Sequence, residues 1–468
     1  MKQEFSKFLE ASKPLIRALV DTLKTRYAYV SVFAQDATAK RISVSRRGIG
    51  VSEDGRFSKR GFVVRVHNGK GLGEYSFNEI SEALMPRIIE DIALCAKGIA
   101  GSDPVPADEP ASGTYSSEYE IDPDTVGTKA LIEKLSALRE KALSQDARLT
   151  DIMTGMTWQK SHMMFISPNR TLTQSLLWTN ASLVAIAADN GDMKDYYQPF
   201  SGLCGAELLN DITPEVLSRT VNCCIELLGC DSITPGEYEC ICSPEVTGMI
   251  VHEAFGHGVE MDMFVKDRAQ ARIFMNKPVA SDIVVMRDGA KSAKECASYL
   301  FDDEGTLGSD TLVIDKGTLV SGYCDAVSAA RLGIKPTGNG RRESYERKAY
   351  TRMTNTFFEA GSDKLEDMIA SIKYGFMLEN PSSGMEDPKN WGIQCMVNVA
   401  REIKDGAFTG KVFSPIVLTG YVPDLLKSIS MISDKVELGG SGFCGKGYKE
   451  WVKVSDGGAY IKARIRLG

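Results

Sequence analysis

Apolar residues recur at helical spacing over residues 4–24, where Phe5, Phe8, Leu9, Leu15, Ile16, Leu19, Val20 and Leu23 fall on one stripe. Pro14 lies inside that stripe and predicts a kink or a split, because its ring removes a backbone donor and crowds the preceding turn. From Tyr27 the pattern shortens to the strand period, and residues 27–33, 41–45 and 61–66 read as strands. Asp54-Gly55 has the composition of a hairpin turn. Helical spacing resumes near Phe77 and runs to about Lys97, with Asn78 as the candidate N-cap. Residues 101–114 carry three Pro and two Gly with little apolar content, the composition of a linker. A helix is expected after Asp122-Pro123 as far as Ser144, then strands over 148–166 and 171–188, then a helix over 213–229. Mostly sequential strands with interspersed helices make this section a meander rather than a strict β-α-β alternation.

Beyond Thr234-Pro235-Gly236 the character changes. A strand over 237–242 runs into Ser243-Pro244, an N-cap followed by proline at the first helical position. Strands are then expected over 279–286, 311–320, 392–402, 411–418 and 450–466, with helices over 364–373 and 423–431. The chain as a whole reads as an α+β fold. An N-terminal α/β domain spans 1–232, and a β-rich domain over 233–468 carries the Pro244 helix.

Composition narrows the function. At 468 residues the chain exceeds one ordinary core. Its net charge of −7 argues against a nucleic-acid surface. No apolar run approaches the roughly 18 residues of a membrane span, and the N-terminus lacks a signal-peptide apolar block. The expected location is the cytoplasm, where the eleven cysteines stay reduced. No C-x-x-C pair occurs, which argues against a closed four-cysteine metal site.

Candidate chemistry concentrates in the Pro244 helix. The chain has four histidines, and two of them, His252 and His257, stand here with Glu253 beside the first. Two neutral imidazoles that bind an ion, with a carboxylate placed to take a proton from water, make the core of a zinc hydrolase site. The spacing is unusual. Residues five apart point about 140° away from each other on an α-helix, against about 40° for residues four apart. One wide turn with i→i+5 bonding would realign them, and Gly256 and Gly258 make such a distortion cheap. The helix is therefore expected to bulge or break between Glu253 and His257. A third ligand is required. Candidates are Cys444, set among turn glycines beside Lys446, and the carboxylates of Asp302-Asp303-Glu304. A Gly-rich segment with paired cations, Asn339-Gly340-Arg341-Arg342, could grip a substrate carbonyl or carboxylate, or could be a solvated turn.

These segments together resemble the TldD/PmbA (TldD/TldE) metallopeptidase family, and its TldD half in particular. The carrying stretches are His252–His257, residues 301–306, 336–344 and 352–356, Cys444-Gly445-Lys446-Gly447, and the tail at 451–458. The resemblance implies a zinc-dependent peptidase: His252, His257 and Cys444 bind Zn2+, and Glu253 is the general base. Asn339, Arg341 and Arg342 are weaker candidates for substrate contact. It further implies a heterodimer with a TldE/PmbA-like paralogue, a homodimer being the alternative, that acts on extended, unfolded peptides. The competing expectation is a non-enzymatic partner-binding scaffold with a structural metal or none. One departure stands out, since a Gly-Gln is expected after the Cys-Gly-Lys and here Gly447 is followed by Tyr448-Lys449-Glu450. The family's association with DNA gyrase finds no footing in the charge balance.

Overall fold

The computed structural model describes residues 1–447 and 449–468. The mixed α+β organisation is present, with the β-rich part in the second half. In chain order the first half comprises α1 (Lys7–Leu23), β1 (Tyr29–Ser45), β2 (Gly48–Glu53), β3 (Arg60–His67), β4 (Leu72–Phe77), α2 (Met85–Lys97), β5 (Ala111–Ser116), α3 (Pro123–Val126), α4 (Thr128–Leu143), β6 (Leu149–Ile166), β7 (Arg170–Asp189), β8 (Asp192–Gly202) and α5 (Pro214–Glu226). Its strands form one sheet in the order β4-β3-β1-β6-β7-β5, with β2 on β1 and β8 on β7. Helix α1 is capped by the Ser6 hydroxyl and runs through Pro14 without interruption. Pro14 is exposed, so the Glu10 carbonyl it deprives of a partner can turn to water.

Several boundaries differ from the sequence expectation. The hairpin turn falls at Arg46-Arg47, between β1 and β2, while Asp54-Gly55 sits in an excursion between two strands that both pair with β1. Residues 72–77 add to the sheet beside β3, so α2 starts after Leu84 and not at Asn78. The last four residues of the expected linker belong to β5, Ala111–Ser116, which pairs in parallel with β7. Strand β8, unforeseen, pairs along β7. In each case a neighbouring strand supplies backbone partners that override the local pattern.

Both faces of the sheet are covered. Val30, Val32, Phe62, Val64 and Val66 pack against α1 and α2, while Phe33, Val63 and Phe165 meet Phe301 from the second half. This two-sided burial explains the continuous apolar run in β3.

In the second half, β9 (Gly236–Cys242) pairs with strands Tyr374–Asp387 and Ile461–Leu467. Tyr374–Asp387 also pairs with Gly392–Lys404, which pairs with Ile416–Tyr421, and that strand returns to Ile461–Leu467. The ring is closed, making a small barrel. A second sheet of six short strands includes Met286–Asp288, Asn355–Phe358 and Ser455–Gly458. The expected strand over 450–466 is thus three strands in three different sheets. Among the described residues no helix is long and apolar enough to cross a membrane.

The halves are pinned by buried charge. Glu74 on β4 accepts from Arg65 (2.6 Å) and from Arg342 of the second half (3.0 Å), and Arg65 also pairs with Glu304. Burial would push the Glu74 carboxyl up, but Arg342 and Arg65 more than offset it and hold it at about 2, against an ordinary 4.5. A depressed carboxylate contributes stability that is complete above its unfolded value and lost as pH falls toward 2, worth about 3 kcal/mol. Glu74→Gln should therefore destabilise the protein by that order at neutral pH in denaturant titrations. The difference from wild type should shrink below pH ~4.5 and close near pH ~2.

Candidate metal centre

Helix α6 (Pro244–Met249) begins where the Ser243 hydroxyl accepts the Val246 N–H. It lies between the barrel, where it meets Tyr374–Asp387, and the second sheet. Gly248 makes that seat possible, since a Cβ there would come within 2.6 Å of the Gly457 nitrogen. The helix passes directly into a π-helical turn over Ile250–Gly256, and the His257 N–H donates to the His252 carbonyl five residues back. The wider turn removes the offset that regular α-helix would impose, and the two imidazoles meet edge to face with centroids 5.2 Å apart. Gly256 accommodates the close packing: a Cβ would collide with the Met353 sulfur and approach the Val251 carbonyl to 3.0 Å.

Cys444 arrives 187 residues after His257, on the hairpin of strands Phe443–Lys446 and Lys449–Lys453, with Sγ 3.4 Å from His257 Nε2. Donor atoms of His252, His257 and Cys444 all lie within 4.8 Å of one another. Glu253 is on the same turn, Oε2 3.8 Å from His257 Nε2. Strand Tyr374–Asp387 crosses above it at Gly384, whose absent Cβ would sit 2.5 Å from Glu253 Cγ.

Carboxylates face the far side of both rings. Glu260 Oε2 is 3.5 Å from His257 Nδ1, and Glu260 is itself held by Lys446 Nζ (3.0 Å) and Arg352 Nε (3.6 Å). Lys446 also donates to Asp262 (2.8 Å) and thus ties the Cys444 hairpin to the segment after His257. Asp456 Oδ2 stands 3.8 Å from His252 Nδ1, too far for a hydrogen bond, and that nitrogen is buried with no partner among the described residues. Burial opposes ionisation of Cys444, but the His257 and His252 imidazoles outweigh it and draw the thiol well below its ordinary value. Against the same desolvation, the Cys444 sulfur raises His252 to about 9. Two nitrogens and a sulfur that prefers to be anionic form a soft donor set, as zinc requires.

The remaining sequence candidates fall elsewhere. Asp302 accepts the N–H groups of Thr306 (2.8 Å) and Gly340 (2.8 Å), and Glu304 pairs with Arg65; neither carboxylate belongs to the donor cluster. Asn339 is fully buried, its amide donating to Asp288 (2.7 Å) and to the Arg352 carbonyl (2.9 Å), so it presents nothing to a substrate. Arg342 is spent on Glu74 and the Arg347 carbonyl. Arg341 donates to the Met353 carbonyl (2.8 Å) and lines a cavity. The other two histidines, His67 and His162, lie outside the cluster and bond to the Asp103 carbonyl and the Ser175 hydroxyl. Sequence reasoning missed Glu260 and Asp456. Glu260 was signalled by its place three residues after His257, but Asp456 had no local signal. Tyr448, in the departure noted above, lies outside the described residues.

Residues 235–462 match the PmbA/TldA metallopeptidase C-terminal domain. The chain is 36% identical to the metalloprotease TldD homolog of Buchnera aphidicola over 42% of its own length and 41% of that protein's. It is 30% identical to the zinc metalloprotease TldD homolog of Saccharolobus solfataricus over 56% and 57%. The chain thus matches about half the length of these relatives. The fold extends over nearly the whole chain: TldE from Thermococcus kodakarensis superposes with a TM-score of 0.76 at 17% identity, covering 96% of this chain and 99% of that one. Residues 235–462 thus match the C-terminal domain of the TldD/PmbA family, and the fold of nearly the whole chain is that of TldE.

Two outcomes check the geometry. Cys444→Ala should lose most of the zinc retained through gel filtration, read by elemental analysis, and undiminished zinc would remove Cys444 from the donor set. Gly256→Ala should cost about 1–3 kcal/mol in denaturant unfolding, because the added methyl overpacks a closed turn.

Proposed function

We propose that the chain is a zinc-dependent peptidase that hydrolyses peptide bonds in unfolded or extended peptides, with residues 233–468 as its peptidase domain and 1–232 as a supporting one. The observation that carries this reading is the convergence of His252, His257 and Cys444 within 4.8 Å, with the Glu253 carboxylate on the same turn. Three protein donors leave a fourth position open, the arrangement of catalytic sites, whereas structural zinc sites take four. The zinc in the name of the Saccharolobus relative supports the choice of ion.

When bound, zinc supplies a Lewis acid and makes water acidic near neutral pH. The rest falls to the chain. Glu253, with 28% of its side chain exposed, is reachable from solvent and accepts the proton lost by the attacking water, then returns it to the departing amine. Gly384 leaves room for that carboxylate beneath the barrel strand. Glu260, braced by Lys446 and Arg352, fixes the His257 ring so that Nε2 faces the donor cluster. Of the three residues considered for substrate contact, Arg341 and Arg342 line a cavity, and Arg341 spends a single donor, on the Met353 carbonyl. An extended peptide would bind by main-chain pairing along a strand edge, with little regard for side chains. The reading extends to a cytoplasmic heterodimer with a TldE/PmbA-like paralogue, and native mass spectrometry of the co-expressed pair distinguishes it from a homodimer.

Glu253→Gln is the direct test. Cleavage of casein or of a peptide library should fall by about 10²–10⁴-fold, the usual worth of a general base, while zinc content stays at the wild-type level. Full activity in that variant would withdraw the general-base role. Zinc-loaded wild-type protein that cleaves nothing, alone or with its paralogue, would favour the partner-binding scaffold.

A further inference from the structure

Behind the Cys444 hairpin, between the N-terminal sheet and the second half, is a cavity of about 80 Å³ walled by Trp178, Tyr299, Phe443 and Trp451. A water needs about 10–15 Å³ of such space, so there is room for a small organic acid. Three cations line it, of which Arg342 is held by Glu74 and the Arg347 carbonyl, leaving Lys453 and Arg341. Lys453 is 7% exposed and sits between the rings of Trp178 (4.5 Å) and Phe443 (4.4 Å), and its Nζ has no hydrogen-bond partner among the described residues. Burial lowers its ammonium to about 8. The Arg341 guanidinium lies 5.4 Å from the centre of the Tyr299 ring and spends a single donor on the Met353 carbonyl.

The wall also carries three acids, each bonded to backbone N–H groups. Asp302 accepts the Gly340 and Thr306 N–H groups, Asp303 the Arg342 N–H (2.7 Å) and Glu343 the Trp451 N–H (3.0 Å). Aromatic faces attract a cation, but they do not replace three hydrogen bonds to an ammonium taken out of water. A small anion with two acceptor oxygens would satisfy both cations at once.

We propose that this cavity binds a carboxylate group, received by the Lys453 ammonium and the Arg341 guanidinium. The site is separate from the His-His-Cys cluster and goes beyond the peptidase reading. Phe443 faces Lys453 across the hairpin and Cys444 faces Val452. Strand alternation therefore directs Phe443 and Lys453 to one face and Cys444 to the other. A bound carboxylate packs on the back of the strand that carries Cys444.

Trp178 and Trp451 are two of the four tryptophans of the chain and report occupancy. Titrating the full-length, zinc-loaded protein with sodium acetate, at constant ionic strength against sodium chloride, should give a saturable change in tryptophan fluorescence. Lys453→Met should raise the midpoint at least tenfold and Lys453→Arg should restore it to within about threefold. Arg341→Gln, expected to raise it at least threefold, serves should Lys453→Met fail to fold. Competition with acetate by a peptide with a free C-terminus, but not by its amide, measured on Glu253→Gln protein, assigns the carboxylate to a substrate end. Absence of competition with acetate binding intact assigns it to a free small acid. No saturable acetate response in wild type, or a response unchanged in both variants, overturns the proposal, and neither result bears on the peptidase reading.

Discussion

One backbone hydrogen bond, from the His257 N–H to the His252 carbonyl, sets the geometry on which the rest of the centre depends. It adds a residue to the turn and swings His257 back toward His252. Such a turn is less favourable than regular helix, and the surroundings hold it in place. Met353 packs where a Gly256 side chain would be, and the Tyr323 hydroxyl donates to the Gly256 carbonyl. Barrel on one side and second sheet on the other leave the segment no room to relax. The turn is thus a property of the whole second half, expressed over seven residues.

Around this turn, charges are arranged in layers that each orient the next. Arg352 and Lys446 hold Glu260, which faces His257; Asp456, from the second sheet, faces His252. Lys446 stands two residues from Cys444, so the side chain that braces a ligand's carboxylate also anchors the hairpin that delivers the third donor. A similar economy joins the halves of the chain, where Glu74 and Glu304 share the guanidinium of Arg65. Buried charge is costly unless every partner is present. With their partners present, these pairs hold the loops at 302–306 and 340–347 against the N-terminal sheet.

Much of this was legible in the residues, and the parts that were not share a cause. The Ser243-Pro244 helix start, the long strands β6 and β7, and the helix start at Asp122-Pro123 follow from period and cap chemistry within a few residues, although Gly127 at positive φ divides the expected helix into α3 and α4. The five-residue histidine spacing even demanded the bulge that the structure contains. By contrast Asn78 looked like a cap until β4 claimed the residues before it, and residues 111–114 looked like a linker until β7 offered them partners. Among site candidates, Asn339 had the right chemistry in the wrong environment, buried and spent on Asp288 and Arg352.

By itself, then, the sequence determined where helices start, which segments alternate, and that His252 and His257 could cooperate only through a distorted turn. These depend on interactions between residues a few positions apart, whose energies local chemistry sets. Tertiary structure decided that Cys444 and not Asp302 or Glu304 completes the donor cluster, that Asp456 and Glu260 face the rings, and that Arg342 is a clamp. Those outcomes depend on contacts between residues up to 268 positions apart. Closing such loops is settled by the packing of whole sheets and by the satisfaction of every buried charge, quantities that no local pattern carries.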